Sequence, residues 1–89
     1  MSKIFDVESV QILRGQLADE MVSKHYRHYK GGLYIVINVV VKEDTGDIII
    51  CYRSLEYGYV WARILADWSS KVPSLEVKGE FVQRFSIVV

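Results

Sequence analysis

The chain has 89 residues and a formal net charge of zero, with eleven lysine and arginine residues against eleven aspartate and glutamate residues. Hydrophobic residues make up 51% of it, which is a globular composition and excludes intrinsic disorder as the main state. The zero net charge argues against a polybasic nucleic-acid coat or membrane anchor. The single cysteine, Cys51, excludes an internal disulfide and a cysteine-rich zinc site. We expect one domain over residues 1–89, with no metal and no cofactor.

The apolar runs of the chain predict where the protein resides. Residues 1–6 contain no long apolar core, and the longest apolar stretch, around residues 39–41, is far shorter than the roughly 18 residues that a membrane helix needs. We therefore expect a cytoplasmic protein with a reduced cysteine and no membrane partner. A chain of this length buries a limited core, so we also expect a homo-oligomer.

The first predicted element is an amphipathic helix over residues 6–22. Val10, Leu13, Leu17 and Met21 recur at spacings of three and four, which places them on one face. Asp6 is suited to be its N-cap. An amphipathic helix cannot stand alone, so we expect it to pack on the rest of the chain or on a partner chain.

From residue 25 onward the hydrophobic period changes to two, which predicts strands over residues 25–29, 33–42, 48–53 and 59–65. In the second of these, alternation puts Leu33, Ile35, Ile37, Val39 and Val41 on one face. Turns are predicted at Gly31-Gly32, which suits a two-residue hairpin, and at residues 43–47.

The C-terminal third is predicted to begin with one helical turn over residues 66–70, closed by Pro73. A final hairpin would then join residues 76–79 to residues 81–88. Together the elements favour a mainly β (α+β) fold, a small SH3-like, strongly bent antiparallel sheet or barrel with one N-terminal helix. An open α+β sheet with the helix across one face is the alternative.

Residues 25–32 interleave basic and aromatic side chains, reading His-Tyr-Arg-His-Tyr-Lys-Gly-Gly. In a regular strand Tyr26, His28 and Lys30 share one face and Arg27 lies on the other. Such a set can stack on bases and bind phosphate. The competing interpretation is that the tyrosines pack the core with their hydroxyls at its rim.

A second cluster of aromatic and charged residues surrounds the predicted strand 59–65, and it consists of Tyr52, Arg53, Glu56, Tyr57, Tyr59, Trp61 and Arg63. Trp61 and Arg63 share a face of that strand, and Tyr57 precedes it. An arginine beside a tryptophan forms either a surface cation–π pair or the wall and anion clamp of a ligand pocket. Glu56 is the candidate structural partner of Arg63, and Trp68 is predicted to plug the core.

Catalytic signatures are weak in this sequence. It contains no nucleophile elbow and no glycine-rich phosphate loop. Cys51 lies in an isoleucine-rich strand, where we expect it to be buried and inert. His28 could act as a general base, but no positioned nucleophile accompanies it. We therefore expect a protein that is not an enzyme.

The order of five motifs resembles the bacterial and phage family called domain of unknown function 1653. Residues 26–34 read Tyr-Arg-His-Tyr-Lys-Gly-Gly-Leu-Tyr, residues 44–46 read Asp-Thr-Gly, and residues 51–55 read Cys-Tyr-Arg-Ser-Leu. Residues 61–65, Trp-Ala-Arg-Ile-Leu, are similar to the family's Trp-x-Arg-Pro-Leu, with Ile64 in place of proline. Residues 82–85, Val-Gln-Arg-Phe, are similar to its closing Val-Pro-Arg-Phe. The resemblance covers about residues 25–86.

This resemblance implies a small β-rich domain and a shared site, while the family name implies no activity. The polar and aromatic residues at its motif positions are the natural candidates for that site: Tyr26, Arg27, His28, Lys30, Trp61, Arg63 and Arg84. Tyr57 joins them from the second cluster.

The leading hypothesis is a non-enzymatic binding module for a nucleotide-like or other phosphate-bearing ligand, in a phage setting one that sequesters a signalling nucleotide. Aromatic rings would stack on the base, while Arg27, Lys30 and Arg63 would neutralise phosphate. The alternatives are a homo-oligomeric protein-interaction domain and, less favoured, a single-stranded nucleic-acid binder.

Overall fold

The computed structural model describes residues 5–89, which form two helices and seven strands. In chain order the elements are α1 (Val7–Met21), β1 (His25–His28), β2 (Leu33–Val41), β3 (Ile48–Ser54), β4 (Val60–Ile64), α2 (Leu65–Trp68), β5 (Lys71–Pro73), β6 (Phe81–Gln83) and β7 (Phe85–Ile87). Within these residues neither helix is long and apolar enough to cross a membrane. The prediction of a mainly β fold with an N-terminal helix is confirmed.

Five strands form one antiparallel sheet in the order β4-β3-β2-β1-β7, and β5 pairs only with β6. The edge strands β4 and β7 do not pair with each other, so the sheet is not closed into a barrel. It is nevertheless strongly bent. The guanidinium carbon of Arg63 on β4 lies 5.7 Å from the ring centroid of Phe85 on β7, although three strands separate β4 from β7. The bend therefore brings both edges of the sheet to one place.

Helix α1 begins where the sequence predicts it. The carboxylate of Asp6 accepts hydrogen bonds from the backbone N–H groups of Glu8 and Ser9 at 3.1 and 3.3 Å. These bonds satisfy two of the donors that a helix leaves unpaired at its start. The helix then packs on the concave face of the sheet, on the side of β2.

The prediction for the buried face of α1 is wrong at one residue. Val10, Leu17 and Met21 pack against the core, but Leu13 is 44% exposed. Successive helical residues are about 100° apart, so Leu13 and Ala18 lie at opposite edges of the apolar face of α1. The sheet packs against the edge that carries Ala18, and the edge that carries Leu13 stays exposed.

A glycine turn between β1 and β2 is confirmed, but the predicted two-residue hairpin is wrong, because the four residues 29–32 join the strands. Gly31 and Gly32 adopt φ values of 97° and 86°, a region that is open to glycine and strained for other residues. The turn places β1 beside β2 with Tyr26 opposite Tyr34. These two rings consequently lie on the same, concave face of the sheet.

The predicted alternation along β2 is wrong beyond Val36 because the strand contains a β-bulge. Val36 pairs with Tyr52 and Asn38 with Cys51, so Ile37 is an extra residue in β2. A bulge reverses the side-chain parity of the residues beyond it. Val36 and Val39 are therefore both fully buried on the concave face.

The predicted final hairpin is also wrong. Residues 76–79 form the loop between β5 and β6, and Pro73 lies within β5 rather than closing the helical turn. β7 instead crosses to β1, where Phe85 pairs with His28. The side chain of Phe85 stacks on Trp68 of α2 with ring centroids 3.8 Å apart, and this buried contact favours the crossing over a local hairpin.

Candidate ligand-binding site

Aromatic side chains from five strands converge on the concave face. The strand register puts Trp61 opposite Tyr52, Tyr34 opposite Tyr26, and Phe85 opposite His28. Directly opposed residues lie on the same face of a sheet. Because the sheet is bent, these rings also contact one another across the face, with Tyr52 and Phe85 centroids 5.3 Å apart.

The two helices fill one half of this face. Met21 of α1 and Trp68 of α2 are buried in it. The ring of Trp68 lies 5.2 Å from that of Tyr26 and 5.1 Å from that of Tyr52, both edge to face. Trp68 is only 5% exposed, so the prediction that it plugs the core is confirmed.

The other half of the face remains open as a cavity of about 370 Å³. Its lining comes from β1, β2, β3, β4 and β7 and consists of His28, Tyr34, Tyr52, Trp61, Ala62, Arg63 and Phe85. Among the described residues no aspartate or glutamate contributes to it. The cavity is therefore aromatic in its walls and cationic at Arg63.

Arg63 is anchored at one end of its guanidinium. Its Nε donates a hydrogen bond to the Tyr52 hydroxyl at 3.3 Å, and the group lies over the ring of Phe85. Within residues 5–89 neither Nη atom makes a hydrogen bond, and Glu56 forms no ion pair with it. The sequence-based suggestion of Glu56 as its partner is wrong because a tyrosine hydroxyl and a ring face hold the guanidinium instead.

The imidazole of His28 is held among rings, 4.9 Å from the Phe85 centroid and 4.8 Å from that of Tyr29. Its Nδ1 accepts a hydrogen bond from the backbone N–H of Lys30 at 3.3 Å, which puts the proton of the neutral ring on Nε2. Partial burial, followed by the positive charges of Arg63, Arg84 and Lys30, lowers the pKa of His28 below its ordinary value. The protein therefore favours the neutral form of this ring.

Of the eight residues predicted for a site, the structure brings His28, Trp61 and Arg63 together in the cavity. Arg84 lies outside it and donates from Nε to the Ser70 hydroxyl at 3.1 Å. After burial and Arg63, its positive charge is a further cause of the lowered pKa of His28.

The remaining predicted residues lie elsewhere. Tyr26 is buried beneath the helices. Arg27 is exposed on the outer face of β1, and Lys30 lies in the glycine turn with its Nζ over the Tyr29 ring at 5.7 Å. Tyr57 is exposed before β4, stacked on Tyr59.

Arg27 and Lys30 line a second, wider groove of about 520 Å³. It lies between the glycine turn and the β5–β6 loop, which contributes Leu75 and Glu76. The carboxylate of Glu76 offsets one of the two positive charges there, so the linings of the groove and of the cavity carry the same net charge of +1.

Sequence reasoning did not assign Tyr34, Tyr52 and Phe85 to the site. All three fall within the motifs that carry the family resemblance, which was the available signal. These side chains come together only through the register of five paired strands, and the alternation of residues within one strand does not predict that register.

Cys51 does not contribute to the cavity. It lies on the opposite face of β3 from Tyr52, and partial burial raises the pKa of its thiol. A raised pKa lowers the thiolate fraction at neutral pH and with it the reactivity. In residues 5–89 no group of three or more histidine, cysteine or acidic side chains is arranged to hold a metal ion.

Comparison with known proteins places this geometry in a family. The chain matches the model of DUF1653, described as a protein of unknown function, over residues 24–87. Its structure is similar to the crystal structure of a protein belonging to DUF1653 from Bordetella bronchiseptica, with 24% sequence identity and a TM-score of 0.63. That match covers 79% of this chain and 90% of the other, which shows a shared fold. No curated protein matches the chain.

Proposed function

The chain belongs to the DUF1653 family of proteins of unknown function, and we propose on that premise that it is a non-enzymatic module that binds a nucleotide-like ligand carrying phosphate. The observation that carries the proposal is the Arg63 guanidinium, which has both Nη atoms free of hydrogen bonds within residues 5–89. It lies beside Trp61 in an aromatic cavity lined by no carboxylate of the described residues.

The walls of the cavity suit a planar ring. Trp61 is 53% exposed, so its indole can stack on a base without any rearrangement of the fold. A base stacked on an aromatic side chain contributes roughly 1–3 kcal/mol to binding. The volume of about 370 Å³ lies in the range of small-molecule sites, which runs from about 300 to 1,000 Å³.

The charge of the cavity suits phosphate. A guanidinium presents a planar fork that bonds two phosphate oxygens at once. The hydrogen bond from Nε to the Tyr52 hydroxyl orients this fork before a ligand binds. Less side-chain conformational entropy is therefore lost on binding. Arg84 and Lys30 add positive potential around His28.

A binding role is preferred to a catalytic one because of the side chains that accompany His28. Among the described residues the cavity is lined by no serine, threonine, cysteine or carboxylate side chain that the imidazole could activate or be oriented by. Activation of a nucleophile of the protein by His28 would need such a partner within hydrogen-bond reach. In a bacterial or phage cytoplasm such a module would sequester a signalling nucleotide. We also propose that the bent sheet has an SH3-like architecture.

Isothermal titration calorimetry against mono-, di- and cyclic nucleotides tests the proposal. With protein near 100 µM, about the level that reveals weak binding, we expect heat from at least one of them. Arg63→Ala should abolish or strongly weaken it. Arg53→Ala is the matched control, since Arg53 is exposed on the opposite face of the neighbouring strand. Absence of heat from every nucleotide would overturn the proposal.

A second candidate function, homo-oligomerisation, rests on apolar side chains that the fold leaves exposed. Ile12 and Leu13 lie on the outer side of α1. Leu75 and Phe81 lie in the two-stranded hairpin that β5 and β6 form with the loop between them, here called the β5–β6 ribbon. Light scattering at two protein concentrations tests this candidate, and a strict monomer at both would refute it.

A further inference from the structure

Three exposed aromatic side chains form a row along the β4 edge of the sheet, and the row leads into the cavity. The ring centroids of Tyr57 and Tyr59 are 5.8 Å apart with the planes 16° from parallel. Those of Tyr59 and Trp61 are 6.2 Å apart and nearly perpendicular. Trp61 belongs to both the row and the cavity lining. A ligand that stacks on Trp61 therefore lies next to Tyr59.

The backbone holds this row in place. Tyr59 and Trp61 are two residues apart and so project from one face. The turn before them is tied to the buried Ser54, whose hydroxyl accepts a hydrogen bond from Tyr57 N–H at 3.1 Å and whose N–H donates to the Tyr59 carbonyl at 2.9 Å. Gly58 takes φ 77° in this turn. The rings are thus presented on a fixed support.

Core packing does not account for the row. Tyr59 is 61% exposed, and neither it nor Tyr57 belongs to the buried cluster or the residues packed against it. Alternate residues of a strand are about 6.6–6.8 Å apart, which presents successive rings to bases that are splayed out rather than stacked on one another.

We propose that the ligand carries at least two bases joined by phosphate. One base stacks on Trp61 with a phosphate at Arg63, and the second stacks on Tyr59, whose ring is itself stacked on Tyr57. This inference rests on the proposed function. Glu56 stands in the turn beside Tyr57, so the linking phosphate belongs on the Arg63 side of Tyr59, where the potential is positive.

The test compares adenosine 5′-monophosphate with the linear dinucleotide pApA and the oligonucleotide hexadeoxyadenylate. Calorimetry measures each with the unaltered protein, Tyr59→Ala and Phe81→Ala. Phe81 is the matched control because it is 64% exposed but lies on the separate ribbon. We expect pApA to bind at least about fivefold more tightly than the mononucleotide, the lower limit for one stacked base. Tyr59→Ala should remove that advantage, because it lowers the affinity for pApA more than the affinity for the mononucleotide.

The outcomes separate this inference from the function it rests on. Equal affinities for the mononucleotide and pApA, or an equal loss of both in Tyr59→Ala, would overturn the inference while the nucleotide site stands. Absence of binding by all three probes and by the wider nucleotide panel would overturn both. Light scattering that shows a dimer turned into a monomer by Tyr59→Ala would overturn the inference by making the row a contact between copies of this chain.

The hexadeoxyadenylate arm identifies the source of the bases. Affinity equal to that of pApA indicates that the row reads two bases of a small ligand. Affinity that rises further with length and falls steeply with salt indicates a single-stranded nucleic acid. Both results support a ligand with two stacked bases.

Discussion

Arg63 is tied to Tyr52 by a 3.3 Å hydrogen bond from its Nε to the tyrosine hydroxyl. Tyr52 is itself fixed in the core, with its ring 5.1 Å from Trp68 and 5.3 Å from Phe85. The guanidinium is thereby positioned by an aromatic core rather than by a carboxylate. A carboxylate would neutralise it, whereas this arrangement leaves its charge available.

Replacing Arg63 should separate binding from stability. We expect Arg63→Ala to weaken nucleotide binding by roughly 1.5–3 kcal/mol, the range for a charge-assisted hydrogen bond. Its melting temperature should fall by no more than about 4–8 °C, because a single hydrogen bond to a group beside an open cavity contributes about 1 kcal/mol in a domain of this size. Calorimetric titration and thermal unfolding of the same variant measure both.

Arg63→Lys sharpens this prediction. A lysine keeps the charge and loses the planar fork, so its affinity should lie between those of the unaltered protein and Arg63→Ala. A folded Arg63→Ala protein with unchanged nucleotide affinity would defeat the role given to this residue. A large fall in melting temperature would make it structural.

The two tryptophans should behave in opposite ways. Trp68 is buried and stacked on Phe85 at 3.8 Å, so Trp68→Ala should cost about 3–5 kcal/mol of unfolding free energy. Trp61 is exposed, so Trp61→Ala should stay within about 1 kcal/mol of the unaltered protein and lose the ligand. Urea denaturation compares them, and similar losses of stability in both variants would be inconsistent with the fold described.

Stability should decrease in mild acid because of His28. Burial and three nearby cations lower its pKa in the folded state below the ordinary 6.5, so the unfolded chain takes up the proton first as pH falls. The contribution of the neutral imidazole is full above pH 6.5 and is lost progressively below it.

The measurement is urea unfolding at about pH 7.5 and about pH 5.5, on either side of that transition. The His28→Gln protein should lose less stability between the two than the unaltered protein does. An identical loss in both would show that His28 does not contribute.

Elements fixed by local chemistry were predictable. The Asp6 cap, the Gly31-Gly32 turn and the face shared by Trp61 and Arg63 each depend on residues within a few positions of one another. The bulge at Ile37 and the crossing of β7 to β1 depend on partners far along the chain. Single-sequence periodicity does not contain that information.

The sequence likewise predicted only some of the residues of the candidate site. His28, Trp61 and Arg63 were identified by residue type and parity. Tyr34 and Phe85 reach the cavity only because the sheet bends and Phe85 stacks on Trp68. Tyr26 has the same parity as His28, but α2 covers it, and no local pattern distinguishes the two.

The most direct test of the central claim is a nuclear magnetic resonance titration of the labelled protein with adenosine 5′-monophosphate, pApA and a cyclic dinucleotide. The two indole N–H signals report separately on Trp61 in the cavity and Trp68 in the core, and the Arg63 Nε–H reports on the guanidinium. We predict that the Trp61 and Arg63 signals shift most, that the His28 pKa rises as a phosphate approaches it, and that the β5–β6 ribbon is unaffected. If the Trp61 and Arg63 signals stay unmoved with every nucleotide at millimolar concentration, the account is contradicted.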